Sequence, residues 1–240
     1  MIYELRGKIP QNSSFIYSED VLTGSIFGNL RYFSNQTLLI NFLNEAKTLD
    51  NDKANISMKN EFHIKFWEKY RSKSSNSYNE PDLVLYNEDN IIIIECKYFS
   101  KLDEQEDEQN NKPVYKNQLI RYSTIIDDYY ENKKNKMLIF LTNDKIEPKE
   151  ILDNTVKNIN KNIILYWLSW DKLYKCMLEH NEDINNNEKI LFNDLMEFII
   201  KRRLLFFNGF NIQQVSYDRF YHKEYMSKVN ILKNNWRYKK

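Results

Sequence analysis

Glycine and proline are scarce in this chain, with four of each among 240 residues. This scarcity argues against a glycine-rich phosphate-binding loop and against a collagen-like or low-complexity architecture. The two cysteines are too few for a disulfide framework, and the three histidines show no spacing typical of a metal site. No apolar run approaches the roughly 18 to 20 residues that cross a membrane, and the N-terminus lacks a signal-peptide pattern. We therefore expect a cytoplasmic protein that does not bind membranes.

Apolar and aromatic residues are plentiful, at 42% and 15%, so the chain can bury one sizeable core. The net charge is only +1, but residues 201–240 hold ten Lys or Arg against two acids, which leaves −7 on the first 200 residues. Such a basic segment either attracts polyanions or is a solvated tail. Aromatic residues interleave it, which suits nucleic-acid backbone contact with base stacking, or packing of a terminal helix. The candidate nucleic-acid contacts are Lys201, Arg202, Arg203 and Arg219.

Hydrophobic periodicity predicts the order helix, three strands, helix and strand in the first part of the chain. Helices are predicted at 18–33, 36–47 and 114–131, and strands at 62–70, 80–86, 91–97 and 137–142. A further strand is predicted at 163–168 and further helices at 170–178 and 188–207. The acidic stretch 103–108 is expected to form a mobile, solvated loop. This order predicts an α/β layered domain with a mixed sheet, in which an antiparallel hairpin joins parallel strands.

The hairpin strands place two acids opposite each other. A tight turn at residues 87–90 pairs Tyr86 with Ile91, and the same register puts Asp82 opposite Glu95 on one face of the sheet. Directly opposed residues have Cβ atoms roughly 5 Å apart, and like charges there destabilise the pair. The pattern therefore predicts a cation between the two carboxylates.

A hard divalent ion such as Mg²⁺ (or Mn²⁺) suits this pair, because it prefers carboxylate and carbonyl oxygens. The peptide oxygen of Cys96 is a plausible third ligand, and Glu19, on the buried stripe of the first helix, can bind directly or through water. Lys97 shares a strand face with Glu95, whereas the Cys96 side chain points toward the core. Lys97 can orient or help deprotonate a metal-bound water, or stabilise developing negative charge. The candidate catalytic and metal residues include Asp82, Glu95 and Lys97.

Pro81-Asp82 followed by Glu95-Cys96-Lys97 resembles the signature of the PD-(D/E)xK nuclease superfamily, which has the restriction-endonuclease-like fold. The resemblance implies a three-layer αβββαβ core with a mixed sheet within residues 1–180, followed by a basic helical extension at 188–240. It covers a little over half of the chain. The acidic insertion after Ser100 and the C-terminal third depart from the family's pattern.

The same resemblance assigns residues on two helices. An acid on the first helix often joins the family's site, and Glu19 matches it. Exonuclease-type and defence-associated members carry Gln-x-x-x-Tyr on the helix after the lysine strand, and Gln118 and Tyr122 match that motif as residues that support the site and contact DNA. The implied function is a Mg-dependent deoxyribonuclease acting in restriction, defence, phage or repair processing. A homodimer or a subunit of a defence complex is the implied assembly.

Ordinary roles for the same residues remain open from the sequence. Asp82 can be a turn residue, Glu95 and Lys97 a surface ion pair, and Gln118 and Tyr122 plain helix packing. The alternative function is a catalytically silent nucleic-acid-binding or assembly subunit with the same fold. The intact set of two acids and a lysine argues against that alternative, because a silent copy has no reason to retain repelling carboxylates.

Overall fold

The computed structural model describes residues 18–57, 61–71, 73, 78–109 and 112–205. All of them belong to one of the two units into which the chain divides, Met1–Phe206. The other unit, Phe207–Lys240, lies outside the described residues, and so does Arg219. Within the described ranges, no helix is both long enough and apolar enough to cross a lipid bilayer.

Nine β-strands form one large sheet and two small ones in the described residues. They are β1 (His63–Phe66), β2 (Tyr70–Arg71), β3 (Tyr78–Asn79), β4 (Leu83–Tyr86), β5 (Asn90–Cys96), β6 (Glu104–Gln109), β7 (Lys112–Asn117), β8 (Asn135–Thr142) and β9 (Ile163–Ser169). The large sheet has the order β1-β4-β5-β8-β9. Strands β1, β4 and β5 pair antiparallel, whereas β5, β8 and β9 pair parallel. The sheet is therefore mixed, as predicted, and the pairs β2–β3 and β6–β7 are separate hairpins.

Helices cover both faces of the large sheet. The described residues form α1 (Glu19–Leu30), α2 (Thr37–Leu43), α3 (Gln118–Tyr129), α4 (Lys149–Asn158), α5 (Asp171–Glu179) and α6 (Lys189–Lys201). One apolar cluster joins α1, α2, α5 and α6 to one face of the sheet, and a second joins α3 and α4 to the other face. Within β5, Ile92 and Ile94 belong to the first cluster and Ile91 and Ile93 to the second. Burial on both faces explains the unbroken isoleucine run.

The first helix begins as its sequence predicts. The Ser18 side chain accepts a hydrogen bond from the Val21 N–H at 3.4 Å, which satisfies one of the free amides of the first turn. Leu22, Ile26 and Leu30 are fully buried along one stripe. This cap fixes Glu19 as the first residue of α1, at the edge of the sheet where β5 ends.

Two predicted elements are interrupted by residues with positive φ angles. The strand predicted at 62–70 ends at Phe66, because Trp67 has a φ of 50° and turns the chain before β2. The helix predicted at 36–47 is shorter at both ends: Gln36, with a φ angle of 52°, lies in the turn before α2, and α2 ends at Leu43. Side-chain periodicity does not report these backbone conformations.

The prediction that residues 103–108 form a mobile loop is wrong, because β6 pairs antiparallel with β7 over this acidic stretch. Backbone N–H and C=O groups make this ladder, so it does not require the apolar alternation on which strand prediction depends. The helix predicted at 114–131 consequently begins only at Gln118, where the Asn117 side chain caps it by accepting from the Ile120 N–H at 3.0 Å. The last predicted helix ends at Lys201, and α4 was not predicted.

Candidate active site

The β4–β5 hairpin brings Asp82 and Glu95 together. Its ladder pairs Tyr86 with Ile91 and Leu83 with Ile94, which confirms the predicted register. One residue beyond the ladder, Asp82 Oδ2 accepts a hydrogen bond of 2.8 Å from the Cys96 N–H. The two acids therefore lie side by side at one end of the hairpin, on the sheet face that α3 covers.

Burial and nearby negative charge raise the pKa values of both carboxyl groups. Burial, followed by the nearby negative charge of Glu95, raises the pKa of Asp82 to about 8, although the Cys96 N–H and Lys97 act in the opposite direction. Burial likewise raises the pKa of Glu95, which is only 1% exposed, against the opposing effect of Lys97. Two ionised carboxylates in this position are unfavourable without added positive charge.

Lys97 supplies one positive charge beside the pair. Its Nζ lies 2.7 Å from Glu95 Oε1 and 3.4 Å from Glu19 Oε1. Burial by itself lowers the pKa of Lys97, but the negative charges of Glu95 and Glu19 outweigh burial and raise the pKa. The ammonium group therefore stays charged at neutral pH. Two hydrogen bonds hold the main chain of Lys97. Its N–H donates to Leu141 O at 2.7 Å, and its carbonyl accepts from Trp170 Nε1 at 3.2 Å.

Glu19 reaches the same place from the first turn of α1. Its Oε2 accepts hydrogen bonds from the Tyr98 N–H at 2.8 Å and from Ser100 Oγ at 2.7 Å. Its Oε1 faces the Lys97 ammonium. Glu19 thus ties the segment after β5 to α1 and holds one side of Lys97, and both of its oxygens already have protein donors.

Tyr122 and Gln118 approach from α3. The buried Tyr122 hydroxyl donates to Glu80 O at 3.2 Å and lies within hydrogen-bonding reach of the Glu95 carboxylate. Gln118 Nε2 donates to that hydroxyl at 3.5 Å, and Gln118 Oε1 accepts from the Asp103 N–H at 2.9 Å. The two residues share one helix face, as their four-residue spacing predicts. Gln118 connects the acid pair to the residue that precedes β6.

The Cys96 side chain is fully buried in the first apolar cluster. Burial, with the nearby charge of Asp82 next, raises the pKa of its thiol well above the usual range. Cys96 is therefore a small core residue rather than a nucleophile, as its position on the strand predicts. Its contribution to the site is its backbone, whose N–H contacts Asp82.

The donor set suits a small hard cation held by few protein ligands. Within the described part of the chain, no three His, Cys, Asp or Glu side chains converge closely enough to hold a metal ion. Asp82 and Glu95 form a pair instead, and their raised pKa values mark a place where positive charge is stabilising. Mg²⁺ is commonly bound through one or two carboxylates, with water and substrate phosphate completing its shell. The pair fits that pattern.

A cleft of about 790 Å³ opens beside Lys97. It lies between the segment that follows β5, the end of β8 and the first turns of α4. Lys97 lines the cleft, whereas Asp82 and Glu95 do not. A group bound in the cleft would therefore contact Lys97 rather than the two acids.

The basic residues predicted to contact nucleic acid occupy different environments. Lys201 and Arg203 are exposed, whereas Arg202 is 4% exposed, with its guanidinium over the ring of Phe198. Burial removes the Arg202 side chain from any surface contact, because a phosphate must reach the guanidinium to pair with it. The predicted contact can thus apply only to Lys201 and Arg203 among the described residues.

Three residues that support the site were not identified from the sequence. Trp170 binds the Lys97 carbonyl, and Tyr98 and Ser100 hold Glu19. Trp170 follows β9, and parallel strands end at the same edge of a sheet, so its position after that strand was a usable signal. Tyr98 and Ser100 come directly after Lys97, but sequence distance alone does not distinguish them from other loop residues.

Comparisons with protein-family models, with curated proteins and with solved structures find no match to this chain.

Proposed function

We propose that this chain is a metal-dependent nuclease of the PD-(D/E)xK type, which hydrolyses phosphodiester bonds in DNA with Mg²⁺ or Mn²⁺. The observation that carries the proposal is the contact of 2.7 Å between Lys97 Nζ and Glu95, in a cluster where burial and charge raise the pKa values of both Glu95 and Asp82. Buried titratable groups with strongly shifted pKa values concentrate at functional sites.

The order of elements supports the restriction-endonuclease-like core. That core runs helix, three strands, helix and strand, and α1, β1, β4, β5, α3 and β8 follow this order along the chain. The sheet is antiparallel at the hairpin and parallel beyond it. The hairpins β2–β3 and β6–β7 would then be additions to the core.

Each residue of the cluster has a distinct role in this proposal. Asp82 and Glu95 would hold the metal, which when bound lowers the pKa of water and neutralises phosphate charge. The protonated Lys97 would donate hydrogen bonds to the attacking water or to a phosphate oxygen. Glu19 would keep the lysine in position, and Tyr122 would hold Glu95 in its rotamer. Positioning of this kind is a major source of rate enhancement in phosphoryl chemistry.

A silent nucleic-acid-binding subunit is the second candidate. The Lys97 ammonium contacts Glu95 and Glu19 at once, so it provides at the acid cluster part of the positive charge that a metal would supply. A chain that keeps the fold without cutting would use this ion-paired arrangement for stability alone.

Cleavage assays with purified protein separate the two candidates. Linear, circular and single-stranded DNA, together with RNA, are incubated with Mg²⁺, with Mn²⁺ or with a chelator. The nuclease proposal expects metal-dependent cleavage that falls at least a hundredfold in Lys97→Ala and in Glu95→Gln. Lys149→Ala is a matched control, because Lys149 is exposed at the start of α4 and belongs to another Glu-x-Lys sequence.

Binding without cleavage by the wild type would support the silent subunit. Cleavage that Lys97→Ala leaves unchanged would keep a nuclease but remove this cluster as its site. Cleavage of RNA alone would correct the substrate and leave the cluster in place.

A further inference from the structure

The residue opposite Asp82 has a left-handed backbone. The β1–β4 ladder ends at the pair of Phe66 and Leu83. Trp67 and Asp82 are the next residues, and the Trp67 N–H donates to the Asp82 carbonyl at 3.2 Å although Trp67 has a φ angle of 50°. The carboxyl group of Asp82 accepts from the Cys96 N–H. One hydrogen bond from the end of β1 therefore holds the main chain of Asp82, and one from β5 holds its side chain.

The Trp67 ring lies against the helix that carries Glu19. A Cβ atom at Gly24 of α1 would lie 3.2 Å from Cη2 of the indole, which is closer than an ordinary contact between carbon atoms. The absence of a side chain at Gly24 thus gives the ring its place on α1. The ring of Phe66 is a second neighbour, with 5.5 Å between the centroids. Through its ring and its N–H, Trp67 connects α1 to the residue that precedes β4.

Two features of Trp67 are unfavourable by themselves. A bulky residue at a positive φ angle is strained, and glycine would adopt the same turn more easily. The Trp67 Nε1 group is buried and has no hydrogen-bond acceptor among the residues that the structure describes, which also destabilises a fold. Strained residues persist where their surroundings hold them, and they concentrate at functional sites. The turn alone does not explain a tryptophan here, whereas the packing of a large ring against α1 does.

We propose that Trp67 is a positioning residue for Asp82. The ring holds the turn against α1, and the turn holds Asp82 where its carboxyl group lies beside Glu95. Glu19 contacts Lys97 from the same helix, so the ring also fixes the distance between Asp82 and the lysine. The catalytic consequence rests on the proposed function, because a fixed Asp82 affects cleavage only if it binds the metal.

The two cysteines of the chain provide a specific measurement. Selective ¹⁵N labelling of cysteine gives one amide signal from Cys96, which donates to the Asp82 carboxyl group, and one from Cys176 inside α5. Hydrogen exchange at Cys96 reports how firmly Asp82 holds that amide, whereas exchange at Cys176 reports stability away from the hairpin. The ratio of the two exchange rates separates a loss of positioning from a general loss of stability.

Gly24→Ala and Gly28→Ala form a matched pair of variants. Both glycines are half-buried in α1, but a Cβ atom at Gly28 would contact nothing within 4 Å beyond its own stretch of helix. Gly24→Ala displaces the Trp67 ring and should raise the exchange rate at Cys96 relative to Cys176 by about threefold or more, and Gly28→Ala should leave the ratio unchanged. Trp67→Gly favours the turn but removes the ring, and it should raise the ratio by about tenfold.

Metal binding and cleavage are measured on the same variants. Isothermal titration should show that Mn²⁺ binds about threefold or more weakly to Trp67→Gly than to the wild type, because a displaced carboxylate is a poorer ligand. The value of kcat for DNA cleavage should fall about tenfold while KM changes little, since Asp82 acts on the reacting group rather than on the rest of the DNA. Gly28→Ala should match the wild type in both measurements.

An exchange ratio that Trp67→Gly leaves unchanged overturns the proposal, because the turn alone would then fix Asp82. A ratio that responds to Trp67→Gly but not to Gly24→Ala overturns it too, and so do equal effects of the two glycine variants. A raised ratio in a protein that neither binds metal nor cleaves DNA retains the positioning role and removes the nuclease. Metal-dependent cleavage that all three variants leave unchanged retains the nuclease and removes Trp67 from its catalytic apparatus.

Discussion

The N–H of Cys96 donates a hydrogen bond of 2.8 Å to Asp82 Oδ2, which joins the backbone of one hairpin strand to the carboxyl group that precedes the other. An amide oxygen can accept the same bond, so Asp82→Asn keeps the contact and removes the charge. This makes Asp82 the residue at which the electrostatic effect of the acid pair can be measured with little change in structure.

Asp82→Asn should change how stability depends on pH in metal-free protein. The pKa of Asp82 is about 8 in the folded chain and about 3.9 in an unfolded one. Between these values the folded state holds a proton that the unfolded state has released, so the free energy of unfolding falls as pH rises from about 4 to 8. Urea unfolding in chelator at pH 5 and pH 8 should show this fall in the wild type and a smaller one in Asp82→Asn. At pH 8 the variant should be more stable by about 1 to 3 kcal/mol.

The control for that measurement is Asp153→Asn, an exposed acid on α4. It should follow the wild-type pH dependence. If the free energy of unfolding depends on pH in the same way in the wild type and in Asp82→Asn, the charge of Asp82 does not affect the pH dependence of stability.

Divalent metal should raise the melting temperature of the wild type, and more at pH 8 than at pH 6. A metal bound by Asp82 and Glu95 must displace the protons that their raised pKa values retain, so its affinity increases with pH. At a metal concentration near 100 times Kd, the free energy of unfolding should rise by about 2.7 kcal/mol. Thermal scans with Mg²⁺, Mn²⁺ or chelator measure the accompanying rise in melting temperature. Equal gains in Asp82→Asn and Glu95→Gln would place the metal elsewhere.

Glu19→Gln and Glu19→Ala should have different effects. The glutamine keeps an acceptor for the Tyr98 N–H but removes the negative charge beside Lys97, so cleavage should fall about tenfold while stability changes by less than about 1 kcal/mol. The alanine leaves that N–H without its acceptor and should cost about 1 to 3 kcal/mol in urea unfolding. Asp20→Asn, the exposed neighbour in the same first turn, controls for the helix dipole. Identical unfolding curves for the two Glu19 variants would contradict the assigned contacts.

Trp170→Phe should destabilise the fold and disturb Lys97. The indole is fully buried, stacks on Phe42 with 6.4 Å between centroids and donates to the Lys97 carbonyl. Loss of that bond and of buried volume should lower the free energy of unfolding by about 1 to 3 kcal/mol. Trp167→Phe is the control, because Trp167 is half-buried and its indole donates to Thr142 instead. The cleavage rates of the two variants are compared at the same folded fraction. An equal reduction in both would argue against a role for Trp170 in positioning Lys97.

The hairpin and its acid pair were predictable because their signals are local and agree with one another. A polar turn between two apolar runs sets the register, and strand alternation then places Asp82 and Glu95 on one face. The stripe of α1 and the cap at Ser18 also come from short-range patterns, and they bring Glu19 to the right edge of the sheet. Agreement between local preferences and the global fold is what makes such predictions reliable.

Other features depend on information that periodicity does not contain. The turn at Trp67 depends on a single backbone angle, and the β6–β7 ladder depends on main-chain pairing between strongly polar segments. Helix α4 has only three apolar residues among ten, so its composition resembles that of a polar loop. The burial of Arg202 and the cleft beside Lys97 arise from tertiary packing between segments distant in sequence.

The pairing of strands also orders the events of folding. Strands β4 and β5 join residues fewer than 15 positions apart, whereas β5 and β8 join residues 45 positions apart at each rung. Local pairs close with less loss of chain entropy, so we expect the hairpin to form before the parallel half of the sheet. Asp82 and Glu95 would then meet while water still surrounds them and their repulsion is weak. The full repulsion would develop only when α3 covers the pair, so the acids should affect the late, compacting step of folding far more than the first.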